Sequence, residues 1–119
     1  MFDLAFFKEN EITVLLEDEN VYKPDFLEEG LPKLLSAKAA LRVGVTYCSI
    51  SEGRKSIVSE TADAIKQSKS EGSFLLVLGY VPNTKTENTY IRFDGYFFDS
   101  QGKELWHDID NYDRKVSLR

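Results

Sequence analysis

The stretch LRVGVTYCSISEGRKSIVSETADAIKQSKSEGSFLLVLGYV, Leu41 to Val81, decides the fold. Val43, Val45 and Tyr47 alternate with Gly44, Thr46 and Cys48, which is the two-residue period of a strand. After a loop, Val58, Ala62 and Ile65 recur at helical spacing, and Gly72 stands where a helix C-cap is expected. SFLLVLGYV is then apolar on both sides of the pleat, the mark of a strand covered on both faces. A strand, a helix and a strand in this order predict a parallel pair joined by a right-handed crossover.

Working toward the N-terminus, KPDFLEEGLPKLLSAKAALR reads as a short turn followed by a longer helix. Pro32 suits a first helical turn, and Leu31, Leu34, Leu35 and Leu41 fall close to one helical face. FDLAFFKENEITVLLEDEN reads as two short strands, Phe2 to Phe7 and Ile12 to Glu17, with Lys8-Glu9-Asn10-Glu11 as the turn. The β-branched run Ile12, Thr13, Val14 favours strand over helix here.

Toward the C-terminus, PNTKTEN is a polar loop. Thr89 to Asp99 and Lys103 to Ile109 form a hairpin around Asp99-Ser100-Gln101-Gly102. Ile91, Phe93 and Phe97 alternate as its expected inward face, with Tyr90 and Tyr96 on the other. The order is ββ-α-β-α-β-ββ. It predicts one α+β domain over residues 1–119, with a mixed, mainly antiparallel sheet of about five to six strands and two helices on one face.

Composition agrees with a globular chain: 119 residues, 42% apolar, 13% aromatic, 29% charged. The net charge of −5 repels phosphates, which argues against nucleic acid and anionic membrane and in favour of a basic protein partner. No segment has the apolar length to span a bilayer, and the start lacks the pattern of a signal peptide. Cys48 is the only cysteine, so no intramolecular disulfide forms. A reducing cytoplasm, in a bacterial host, is the expected setting.

No catalytic set emerges. Arg92, Gly95, Tyr96 and Phe98 echo an RNA-stacking strand, but Phe93 and Phe97 occupy positions that need small residues. From Asp108, the sixth and twelfth positions of a calcium loop hold Asp113 and Arg119, not glycine and glutamate. EGRKS lacks the upstream glycine and the lysine of a phosphate loop. Cys48 and His107 would be the one nucleophilic dyad, yet both fall within strands and suit core or strand positions. No cofactor is implied.

From Leu41 to Trp106 the rhythm is similar to small bacterial envelope domains resembling the N-terminal domain of the Tol-system propeller protein. LRVGVTY stands as the first strand, SETADAIKQSKSEG as the helix, SFLLVLGYV as the next strand and FDGYFFDSQGKELW as a closing hairpin. That resemblance implies a non-catalytic assembly module and assigns no residue a role.

The expected function is a non-enzymatic protein-binding domain, such as a small acidic inhibitor, immunity or antitoxin-like protein that captures a basic partner. Tyr96, Phe98, Trp106, Asp108 and Asp110 are its expected contact residues, because the rings on two adjacent strands exceed what so small a sheet hides. Two alternatives stand beside it. One is a small-molecule-binding protein or enzyme with a pocket between sheet and helices. The other is a homo-oligomeric assembly module using a strand edge.

Overall fold

The structure is a computed structural model that describes residues 4–18, 26–48, 51–80 and 92–108. Strands β1 (Leu4–Lys8) and β2 (Glu11–Asp18) form a hairpin. Its turn residues Glu9 and Asn10 both have positive φ, 51° and 67°, the handedness that lets a two-residue turn follow the sheet twist. One wide turn, Phe26–Gly30, runs directly into helix α1 (Leu31–Ser36). Strand β3 (Leu41–Cys48), helix α2 (Ser51–Ser68) and strand β4 (Ser73–Tyr80) follow, then the hairpin β5 (Arg92–Phe98) and β6 (Glu104–Asp108).

The six strands lie in chain order across one sheet. The expected α+β order, ββ-α-β-α-β-ββ, is the observed one. The sheet, however, is mixed rather than mainly antiparallel: β2–β3 and β3–β4 are parallel, while β1–β2, β4–β5 and β5–β6 are antiparallel. The physical reason is that both central connections are helical crossovers. Each steps one strand over in the same direction, and right-handed crossovers of that kind place their helices on the same face.

Leu31 and Leu34 of α1 and Ile65 of α2 bury against Leu15, Phe74, Leu76, Leu78, Tyr96 and Phe98 of the sheet. In β3 the inward set is Arg42, Gly44 and Thr46, not the valines. Gly44 makes this feasible. A Cβ there would stand 2.5 Å from Phe26 Cε1 and 3.3 Å from Phe74 Cζ, so two rings occupy the space that a side chain would fill.

Arg42 explains why α1 is shorter than expected. Its Nε donates to the carbonyls of Leu34 (2.8 Å) and Ala37 (3.1 Å), and Nη2 also donates to Ala37. Nη1 donates to Ala39 (3.4 Å) and to Glu71. The guanidinium thus takes carbonyls that another helical turn would have satisfied. Ala37 turns extended, and Leu41 joins β3 instead of the helix.

The phase of β5 is the reverse of the expected one. Asp94, Tyr96 and Phe98 face the helices, whereas Phe93 is 48% exposed on the opposite side and Phe97 is half-buried there. Asp94 is fully buried, with Arg54 Nη1 of α2 lying 3.5 Å from its Oδ2. A cation reaching down from α2 makes an inward aspartate tolerable. Tyr90, Ile91 and Ile109 lie outside the described residues.

Burial pushes the Tyr96 hydroxyl above the ordinary tyrosine value; Arg54 opposes this, and Asp94 and Glu104 reinforce it. A folded-state pKa above the unfolded one means that neutral Tyr96 contributes stability in full below the unfolded value, about pH 10. That contribution is lost as the pH rises through the folded value. Denaturant unfolding of Tyr96→Phe should therefore show a shallower fall in stability above about pH 10 than the native chain. An identical alkaline slope in both proteins would assign the fall to other groups.

Candidate functional site

The expected contact residues do not share a surface. Tyr96 and Phe98 are 4% and 1% exposed and sit beneath the helices. Trp106 is 54% exposed and pairs with Phe97, which places it on the opposite face. Asp108 is exposed at the end of β6 and pairs with Gly95, so it shares the Trp106 face. Asp110 lies outside the described residues. Strand alternation separates what proximity in sequence had joined.

Cys48 and His107 stand on β3 and β6, three strand spacings or about 14 Å apart across the sheet. His107 Nδ1 instead lies 3.2 Å from Glu104 Oε2 on its own strand. The dyad is not assembled.

The face away from the helices is the unusual feature. Paired residues on neighbouring strands point the same way, so the register can be read as rows crossing the sheet. One row is Phe6, Val14, Leu41 and Ser73. The next is apolar across all six strands: Leu4, Leu16, Val43, Leu75, Phe97 and Trp106. The third is Asp18, Val45, Val77, Gly95 and Asp108. The fourth is Tyr47, Gly79 and Phe93.

Among the described residues, no helix or second sheet lies over these rows, and none of their side chains packs against the buried core. The apolar residues of β2, β3 and β4 in these rows are half-buried by their neighbours. Leu4, Phe6, Phe93 and Trp106 at the sides are about half exposed, between 46% and 54%. Half-buried aliphatic side chains and Tyr47 therefore fill the middle of this face, and more exposed apolar side chains stand toward its sides.

The Tyr47 and Phe93 rings meet edge to face, their centroids 6.3 Å apart, above Gly79. A Cβ on Gly79 would stand 2.6 Å from Tyr47 Cδ1 and 3.0 Å from Phe93 Cε1, so glycine lets the two rings close over the strand. Burial pushes the Tyr47 hydroxyl upward, and the Asp18 charge and a hydrogen bond from Tyr47 to that carboxylate push the same way. Asp18 and Asp108 end the third row on opposite sides, and the four rows contain no lysine or arginine among the described residues.

Other concave places offer less chemistry. A cavity of about 440 Å³ opens at the far end of the sheet beside Glu11, Lys38 and Glu71. A groove of about 410 Å³ runs between α1 and α2, past Leu31, Leu35 and Ala64. Strands laid in simple chain order have no reversal point, and it is at such reversals that open α/β sheets form ligand crevices. No cluster of three or more metal-ligating side chains occurs among the described residues. None of their helices is long and apolar enough to cross a membrane.

Val45, Val77 and Phe93 were missed as surface residues, although a signal for them existed. SFLLVLGYV asks for cover on both faces, and two helices on one side of the sheet supply only one cover. Comparison with known proteins returns no matching family model, no matching curated protein and no matching solved structure.

Proposed function

We propose that the chain is a non-enzymatic protein-binding domain that captures a basic partner on the bare face of its sheet. The observation that carries this reading is the apolar row from Leu4 to Trp106, which no described element covers. Contiguous apolar surface of this kind marks interaction sites, and exposed tryptophan and phenylalanine are typical anchors. Two carboxylates on the face and a net charge of −5 favour a cationic partner and electrostatic steering. An acidic neutraliser of a basic target, on the pattern of an inhibitor or immunity protein, fits these features.

The edge-strand alternative is the weaker one. Both edge strands, β1 and β6, are five residues long, and each meets its neighbour with a register irregularity. Short, bulged, charged edges discourage strand addition.

Photo-crosslinking tests the reading. A photoreactive residue at Val77, on the floor of the face, should yield one crosslinked basic protein in cells of the native host. The same residue at Glu60, exposed on α2, should yield none. Rising salt should reduce the rate of capture. Equal crosslinking from both positions, or none from Val77, would overturn the proposal.

A further inference from the structure

We infer that the face away from the helices holds a site for one arginine side chain of the basic partner, seated over Gly95, stacked on the Trp106 indole and paired with the Asp108 carboxylate. This rests on the proposed binding function and names the chemistry of the group that the face recognises.

Glycine opens the site. Gly95 stands in the third row between Val77 on β4 and Asp108 on β6. Its neighbours two residues away on β5, Phe93 and Phe97, point to the same side. Gly95 therefore leaves a gap among four side chains. A Cβ built there would meet a single atom within 4 Å outside its own chain neighbours, Trp106 Cζ3 at 3.7 Å. Phe93 turns the other way: its Cε1 would stand 3.0 Å from a Cβ on Gly79, where its ring meets Tyr47. Trp106 pairs with Phe97 rather than with Gly95, so its ring reaches diagonally toward the gap, a reach that large aromatics have between neighbouring strands.

Chemistry selects arginine. The indole is 54% exposed, and a cation within about 6 Å of an indole centroid is attracted by the ring quadrupole. Asp108 lies two residues from Trp106 on the same side of β6, about 7 Å along the strand, and directly across from Gly95. One group over Gly95 thus reaches both a ring and a carboxylate. A guanidinium is planar, stacks on aromatic rings and donates through a fork that matches a carboxylate, whereas an ammonium is a compact, strongly hydrated point charge. Among the described residues the four rows hold no lysine or arginine, so the partner has to bring the cation. Its methylenes would lie on Val77 and Phe97.

The test uses the full chain and three acetylated tripeptide amides, alike except for a central arginine, lysine or citrulline. Citrulline keeps the shape of arginine without its charge. Trp106 is the only tryptophan, so one indole N–H resonance reports on the site, and the Gly95 amide reports beside it. Titration with the arginine peptide should move both resonances along saturable curves. The lysine peptide should bind several-fold more weakly, and the citrulline peptide about tenfold more weakly. Asp108→Asn should weaken the arginine peptide about fivefold and leave the citrulline peptide unchanged. Gly95→Ala should remove most of the preference for arginine, because the added Cβ takes up the gap. Its one contact there, at 3.7 Å, is an ordinary one, so the remaining resonances should keep their native positions.

Equal binding of the arginine and citrulline peptides would overturn the inference, since the charge would then not matter. So would a Trp106 resonance that the arginine peptide leaves in place, or arginine binding that Asp108→Asn leaves unchanged. Lysine bound as tightly as arginine would overturn the choice of a guanidinium. Peptide failure alongside a basic protein crosslinked at position 77 would remove only the arginine site. Failure of both would remove the binding function as well.

Discussion

Arg42→Leu should destabilise the domain by about 4 kcal/mol, because the carbonyls of Ala37, Ala39 and Glu71 lose their donor while that of Leu34 keeps the Ala37 amide, and each buried orphan costs about 1–3 kcal/mol. Leucine fills much of the same space, so packing does not explain the loss. Arg42 is 3% exposed, and its hydrogen bonds go to Leu34, Ala37, Ala39 and Glu71. It therefore joins the end of α1 to the segment before β4. Burial lowers the guanidinium pKa, yet arginine stays charged at any ordinary pH. Thermal unfolding should fall by about 15 °C for a chain of this size. Arg42→Lys should recover little, since one ammonium cannot present the planar fork that reaches all four oxygens. A leucine variant within about 1 kcal/mol of the native protein would mean that water or neighbouring backbone satisfies those carbonyls.

Gly44→Val should cost about 3 kcal/mol or more, by overpacking rather than by backbone strain. The new Cβ would overlap Phe26, whose ring atoms lie 2.5 and 2.6 Å from its position. Phe26 is 1% exposed within the core and has little room to retreat. The compensating pair Gly44→Val with Phe26→Leu should recover part of the loss, because the smaller side chain vacates the contested space. Urea unfolding of the two single variants and the double variant measures the coupling directly. Strict additivity would show that the steric account is wrong.

The α+β class, the element order and the single-face helices were legible in periodicity and turn chemistry. Strand phase was less legible, and the reasons are local. In β5, Phe93 and Phe97 look more like core residues than Asp94 does. The inward position of Asp94 depends on Arg54, forty residues away. In β3, alternation separates the valines from Gly44 without saying which set faces inward, and the rings of Phe26 and Phe74, which need the glycine's space, decide it. Parallel pairing at β2–β3 followed from a crossover whose helix was read as too long, because the Arg42 clamp that ends it is a tertiary contact. The candidate site suffered from the same phase error. Tyr96 and Phe98 were grouped with Trp106 by nearness along the chain, although successive side chains on a strand oppose one another. The doubly apolar β4 called for cover on both faces, and the described residues supply it on one.

The order of strands across the sheet also bears on how the domain is made. Each strand pairs only with its predecessor and successor in the chain, so a polypeptide leaving the ribosome never waits for a later strand before placing an earlier one. The sheet grows at one edge only, with each helix laid down between the two strands that it bridges. Such near-neighbour assembly keeps loop closures short and favours rapid folding. It also forms the apolar side of β2 and β3 as soon as those strands have paired, well before β6 is synthesised, so that surface meets water earliest on a nascent chain.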